Sequence, residues 1–144
     1  MNTATPFLWI KNTAEAIGFY KEAFGAVEHY RLTEPGGKVA HAEITIGGAK
    51  ISLAGEYPEY GILGPETMGN TTVGIQLQVD DADTVFQQAV AAGAIIVNPM
   101  TDQFYGDRAG SVKDPFGHYW MIYTTIEVVN PEEMQKRFEA LFES

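Results

Sequence analysis

Residues 102–125, DQFYGDRAGSVKDPFGHYWMIYTT, read as two antiparallel strands joined by a tight corner. The strands are Arg108–Lys113 and His118–Thr125, and the corner is Asp114-Pro115-Phe116-Gly117. Pro115 presets a turn φ, and Gly117 supplies a position where φ can be positive, so the corner makes a hairpin. The outgoing strand is aromatic on both faces. Alternation sends Tyr119 and Tyr123 one way and Trp120 and Ile122 the other. The incoming strand opens on Arg108 beside an acid, Asp107.

Upstream of the hairpin, Thr72–Val79 reads as a strand, Asp80 or Asp81 as the cap of a helix ended by Gly93, Ala94–Asn98 as a strand, and Met100–Gly106 as a loop. The order is βαβββ. The same order occupies the first part of the chain. Pro6–Ile10 is a strand, and Asn12 or Thr13 caps a helix with Glu15 in its first turn. Ala16, Ile17, Phe19, Tyr20, Ala23 and Phe24 fall at helical spacing, and Gly25 ends the helix. Strands Ala26–Thr33, Lys38–Ile46 and Ala49–Ala54 follow, with Pro35-Gly36-Gly37 and Gly47-Gly48 as turns.

The chain is therefore expected to be one domain over 1–144. Module one spans 5–54, a Gly- and Pro-rich linker 55–70, and module two 71–125. A C-terminal helix over 130–143 is capped by Asn130, with Pro131 at its first position and an apolar stripe of Met134, Phe138, Leu141 and Phe142. A repeated unit that cannot bury its own face implies two units packed together.

Composition narrows the function. A chain of 144 residues supports a full core, and 45% hydrophobic with 19% charged residues is ordinary for a globular protein. Without cysteine, disulfides and thiolate metal sites are excluded. No segment approaches the roughly 20 apolar residues of a membrane span, and the N-terminus has no signal-like pattern, so a cytoplasmic protein is expected. The net charge of −10 repels phosphate backbones and argues against nucleic acid.

One face of each strand is core. Leu8 and Ile10, Ile44 and Ile46, Ile51 and Leu53, and Ile75, Leu77 and Val79 should pack on the helices. The opposite faces interleave aromatics with a few polar groups, as small-molecule pockets do. Phe7, Trp9, His41, Glu43, Gln76, Gln78, Tyr119, Met121 and Tyr123 are the expected ligand-binding residues, with Tyr105 and Phe104 as a lid wall. Arg108 would either grip an anionic ligand or pair with Asp107. His41 and Glu43, two apart on one strand, are the catalytic candidates. His118 follows the turn and is expected to close the hairpin or cap the barrel rim, with a ligand role as the alternative, and His29 belongs to an exposed strand.

Together, the doubled unit, the AEAIGFY and AVAAGA helix segments and the DPFGH hairpin resemble the vicinal oxygen chelate superfamily over about residues 5–125. That superfamily includes glyoxalase I, ring-cleaving dioxygenases and bleomycin-resistance proteins. The DQFYGDRAG…DPFGHYW block is most similar to its PhnB-like members. The resemblance implies an α+β fold whose two βαβββ modules form a half-barrel cup, usually within a homodimer. Metal-dependent members hold a divalent ion with one His or Glu from each of four strands. Those positions are Thr5, Ser52, Gly74 and Met121 in this chain, a set that does not suit a divalent ion. The resemblance thus implies a protein that binds a small organic molecule without a metal cofactor, and the acidic balance and Glu43 would suit a cationic one. The alternative is a lyase, isomerase or dioxygenase with a displaced metal around His41 and Glu43. A structural module remains if side chains fill the cup.

Overall fold

The computed structural model describes residues 1–143. The first module comprises β1 (Phe7–Trp9), α1 (Thr13–Phe24), β2 (Val27–Thr33), β3 (Val39–Ile46) and β4 (Ala49–Ala54). The second comprises β5 (Gly74–Gln78), α3 (Ala82–Ala92), β6 (Ile95–Asp102), β7 (Asp107–Lys113) and β8 (Tyr119–Thr125). Each folds into a four-stranded sheet, in orders β1-β4-β3-β2 and β5-β8-β7-β6. In both, the first strand runs parallel to the last and the other pairings are antiparallel. The doubled α+β unit expected from the sequence is present.

Alternation explains which face each strand buries. Ala42, Ile44 and Ile46 of β3, Ile51 and Leu53 of β4, and Trp120 and Ile122 of β8 join one core with Ile17, Tyr20 and Ala23 of α1 and Phe86 and Ala89 of α3. Helices α1 and α3 lie against each other on that side. Aromatic edges tie the modules together there: Phe19 meets Phe116 at 6.2 Å and Phe24 meets Trp120 at 4.6 Å between ring centroids.

Asp114 of the DPFG corner joins the same seam. Its Oδ1 accepts from the backbone N–H of Phe116 (2.9 Å) and His118 (3.0 Å), which shapes the turn. Its Oδ2 accepts from the Tyr20 hydroxyl (2.5 Å) and the Trp120 indole (2.9 Å). A carboxylate 2% exposed is tolerated because four donors satisfy it. Burial and the adjacent carboxylate together push the Tyr20 phenol well above its ordinary pKa.

Several elements differ from the sequence reading. Strand β6 continues through Pro99 to Asp102, with register shifts on either side of Asn98, instead of ending at Asn98 ahead of a loop from Met100. Proline is tolerated because β6 is an edge strand. The linker holds a 3-10 turn (Pro58–Tyr60) and a short helix, α2 (Pro65–Met68), each opened by proline. Neither Asn12 nor Thr13 caps α1 through its side chain; the Thr13 hydroxyl instead donates to the Ile10 carbonyl at 2.7 Å. Asp81 does cap α3, accepting from the Thr84 N–H at 3.2 Å. The last helix, α4 (Pro131–Ala140), is shorter than 130–143, and Leu141 and Phe142 beyond it are exposed.

Candidate functional site

In module two the face opposite α3 forms a cup. On β7, Asp107, Ala109 and Ser111 point into it, whereas Arg108 and Val112 point toward the α3 side. On β8 the alternation turns Tyr119, Met121 and Tyr123 inward and buries Trp120 and Ile122. Cross-strand register aligns the lining: Ala109 lies opposite Tyr123, Ser111 opposite Met121 and Gln76 opposite Met121 on its other side. The cavity so enclosed is about 380 Å³.

Its floor is a polar network. Ser111 Oγ accepts from the Asn98 amide (2.8 Å) and the Tyr119 hydroxyl (2.9 Å). At the rim, the Gln103 amide donates to the Thr101 hydroxyl (2.8 Å), and the turn through Gly106 carries Tyr105 over the cup. Burial, reinforced by the Asp107 carboxylate, raises the Tyr105 phenol pKa, so this hydroxyl stays protonated at neutral pH. Phe104 turns the other way, its ring 5.7 Å from that of Phe138 on α4. Arg137 of α4 donates to the Phe104 carbonyl (3.0 Å) and grips both Glu127 oxygens (2.8 and 3.0 Å), fastening the helix behind the rim.

The expected binding residues separate into three groups. Gln76, Tyr105, Tyr119, Met121 and Tyr123 line this cup. Phe7 and Trp9 line a second, more apolar cavity of about 450 Å³ between β1 and the segment leading into β5, shared with Leu63, Met68 and Ile75. His41, Glu43, Gln78 and Arg108 line neither. The His41 ring lies against Phe7 (5.5 Å) and Tyr30 (5.8 Å), and Glu43 pairs with Lys50 at 3.4 Å. Arg108 pairs with Asp83 (2.7 and 3.0 Å) and Asp102 (3.0 Å) and not with Asp107, because parity puts adjacent residues on opposite sheet faces. Asn98, Gln103, Asp107 and Ser111 were missed as lining residues. Asp107 and Ser111 share the parity of Ala109, so alternation along β7 carried that signal, but Asn98 and Gln103 depend on the irregular course of β6.

A model of the Glyoxalase/Bleomycin resistance protein/Dioxygenase superfamily matches residues 3–122. The chain belongs to that superfamily. An uncharacterized protein of Mycobacterium bovis is 41% identical over 134 residues, covering 91% of this chain and 88% of the relative. Among solved structures, TioX from Micromonospora sp. ML1 superposes with a TM-score of 0.68 at 25% identity, covering 90% of this chain and 100% of that one. The PhnB protein from Bacillus cereus gives a TM-score of 0.64 at 21% identity, covering 86% and 100%.

The superfamily's divalent ion does not fit the residues present. Thr5, Ser52, Gly74 and Met121 offer two hydroxyls, a bare backbone and a thioether where imidazole or carboxylate is required. At Gly74 a Cβ would already meet the Tyr119 ring at 2.8 Å and the Met121 methyl at 3.0 Å, so the space for a ligating side chain is filled. Among the described residues no three His, Cys, Asp or Glu side chains converge, around His41 and Glu43 or elsewhere.

His118 is placed at the junction of the modules. It is 8% exposed, borders the second cavity, and contacts the Trp9 carbonyl through Nε2 at 3.3 Å. A carbonyl only accepts, so Nε2 carries the proton. Burial lowers the imidazole pKa against the opposing pull of Asp114 and the Trp9 carbonyl. An unfolded histidine titrates near 6.5, so it binds a proton before the folded one does. Stability from this group is therefore present above pH ~6.5 and falls as pH drops toward the lower folded-state value. The unfolding midpoint should decline less between pH 7.5 and 5.5 in His118→Gln than in the parent. Parallel curves from the two proteins would show that His118 is not the group responsible.

Proposed function

We propose that this chain is a small-molecule-binding, PhnB-like member of the superfamily that holds an organic ligand in the module-two cup, without a metal cofactor. The carrying observation is the cavity itself, walled by Tyr119, Met121 and Tyr123 and floored by the Asn98–Ser111–Tyr119 network. Apolar rings beside a few fixed polar groups are what a ligand pocket needs for burial and orientation. The fold likeness to the Bacillus cereus protein and the DQFYGDRAG…DPFGHYW block support the PhnB-like assignment.

A homodimer belongs to the same reading. Phe7, Trp9, Tyr30 and Leu32 leave apolar surface exposed on module one that a second copy would cover. The net charge of −10 opposes a nucleic-acid partner. No helix among the described residues is long and apolar enough to cross a membrane. A cytoplasmic site of action completes the proposal.

Thermal-shift screening of small aromatic and polar compounds tests the cup, since a ligand that binds only the folded state raises the midpoint by mass action. Hits should lose their shift in Tyr123→Ala and keep it in Trp9→Ala. A screen whose hits depend on Trp9 instead would move the site to the second cavity, and one with no hit dependent on Tyr123 would remove the cup as the site. Light scattering on the same samples should report twice the chain mass; a single-chain mass would remove the dimer.

A further inference from the structure

We propose that the module-two cup selects a positively charged amine carried on a phenol-sized ring, with the Asp107 carboxylate as its counter-charge. The inference rests on the proposed binding role of this cup and adds the chemistry of what it takes. Asp107 is the one charged residue among the cup's lining residues. Arg108, next to it in sequence, lies on the other face of the sheet with its guanidinium engaged by Asp83 and Asp102. Lys113 shares the cup's parity but lies outside the lining, its ammonium 3.4 Å from the Asn70 side-chain oxygen. Among the described residues no cation therefore balances the cup from within.

Among the described residues the Asp107 side chain has no hydrogen-bond or ion-pair partner. It is half-buried at the rim, lining the cup together with Tyr105. A carboxylate partly withdrawn from water without a partner leaves attraction for a cation unused, and it repels an anion at the same distance. Surface pairs of this kind are weak, but a cavity wall lowers the local dielectric and strengthens the pairing.

The opposite end of the cup differs. Four residues along β7, ~13 Å of strand, separate Asp107 from Ser111 and the neutral floor. There Asn98, Ser111 and Tyr119 present amide and hydroxyl groups that suit a hydroxyl or carbonyl. Between the two ends, Met121 and Tyr123 present apolar and ring surface. An amine at one end, a ring in the middle and a neutral polar group at the far end complement the cup in that order.

Three probes with one ring and different head groups separate charge from shape: tyramine (amine), tyrosol (alcohol) and 4-hydroxyphenylacetate (carboxylate). Calorimetric titration of the intact protein should give a dissociation constant for tyramine at least tenfold below that for tyrosol, with no saturable binding of the carboxylate. In Asp107→Asn, checked for an unchanged unfolding midpoint, the tyramine-to-tyrosol ratio should collapse to about one. Tyrosol binding as tightly as tyramine, or a preference that survives Asp107→Asn, overturns the charge selection while the cup stands as a binding site. No binding by any of the three also overturns the inference, and the Tyr123-dependent hits of the thermal-shift screen then show whether the cup still binds something else.

Discussion

Asp114→Ala is expected to lower the unfolding free energy by ~4 kcal/mol or more, because each buried donor left without a partner costs roughly 1–3 kcal/mol. Four donors converge on this carboxylate: two backbone N–H groups of its own turn, the Tyr20 hydroxyl and the Trp120 indole. An alanine leaves all four facing an apolar interior, and partial relaxation recovers only some of the loss. Against a total stability of about 5–15 kcal/mol, the change is a large fraction. Tyr20→Phe removes a single donor to a charged acceptor and should cost less, ~1.5–3 kcal/mol. Urea unfolding of the three proteins checks the ordering. An Asp114→Ala unfolding free energy within ~1 kcal/mol of the parent would show that the four contacts do not hold the hairpin to α1. The effect also reaches the cup. β8 leaves this turn and delivers Tyr119, Met121 and Tyr123, so a loosened corner disorders the cavity wall.

Gly106→Ala should be the next most damaging substitution, at ~2–4 kcal/mol from backbone strain and overlap together. Gly106 has φ +97°, which a side chain adopts only with strain, and an ideal Cβ would lie 2.1 Å from the Glu127 carbonyl oxygen. Its own carbonyl accepts from the N–H groups of Ile126 (2.9 Å) and Glu127 (3.0 Å), so the backbone of the segment entering α4 is stitched onto the rim at this residue. Backbone cannot swing aside as a side-chain tip does. The substitution must push Glu127 away, strain the Arg137–Glu127 pair and release Tyr105 from over the cup. Thermal unfolding and limited proteolysis around residues 103–106 measure both consequences. A melting shift under about 2 °C with unchanged cleavage would mean the rim absorbs the methyl freely.

Much of the fold was legible because its signals are local and periodic. Alternating apolar residues in β3, β4 and β8 named the core face, and the terminal glycines Gly25 and Gly93 marked where both helices stop. The repeat of one element order, with the DPFG corner in the second copy, was enough to specify two like modules. Parity further placed Gln76, Tyr119, Met121 and Tyr123 on one face of module two, where they do form a single cavity.

Parity alone cannot say which strand faces of different modules meet. Phe7, Trp9, His41 and Glu43 have the same parity signal as the cup residues, yet they belong to the other sheet and lie outside the cup. The irregular edge strand β6, with a proline at its kink, hid Asn98 and Gln103, whose positions depend on register shifts that no local pattern encodes. Asp114 read as a turn residue because its two backbone bonds are local; its contact with Tyr20 spans 94 positions in the chain. By itself, then, the sequence determined the repeated topology, the core faces and the turns, all governed by neighbours a few residues away. Only the tertiary structure decided which polar side chains share a cavity and which carboxylate is buried in the seam, because those depend on how two sheets and two helices pack across long stretches of chain.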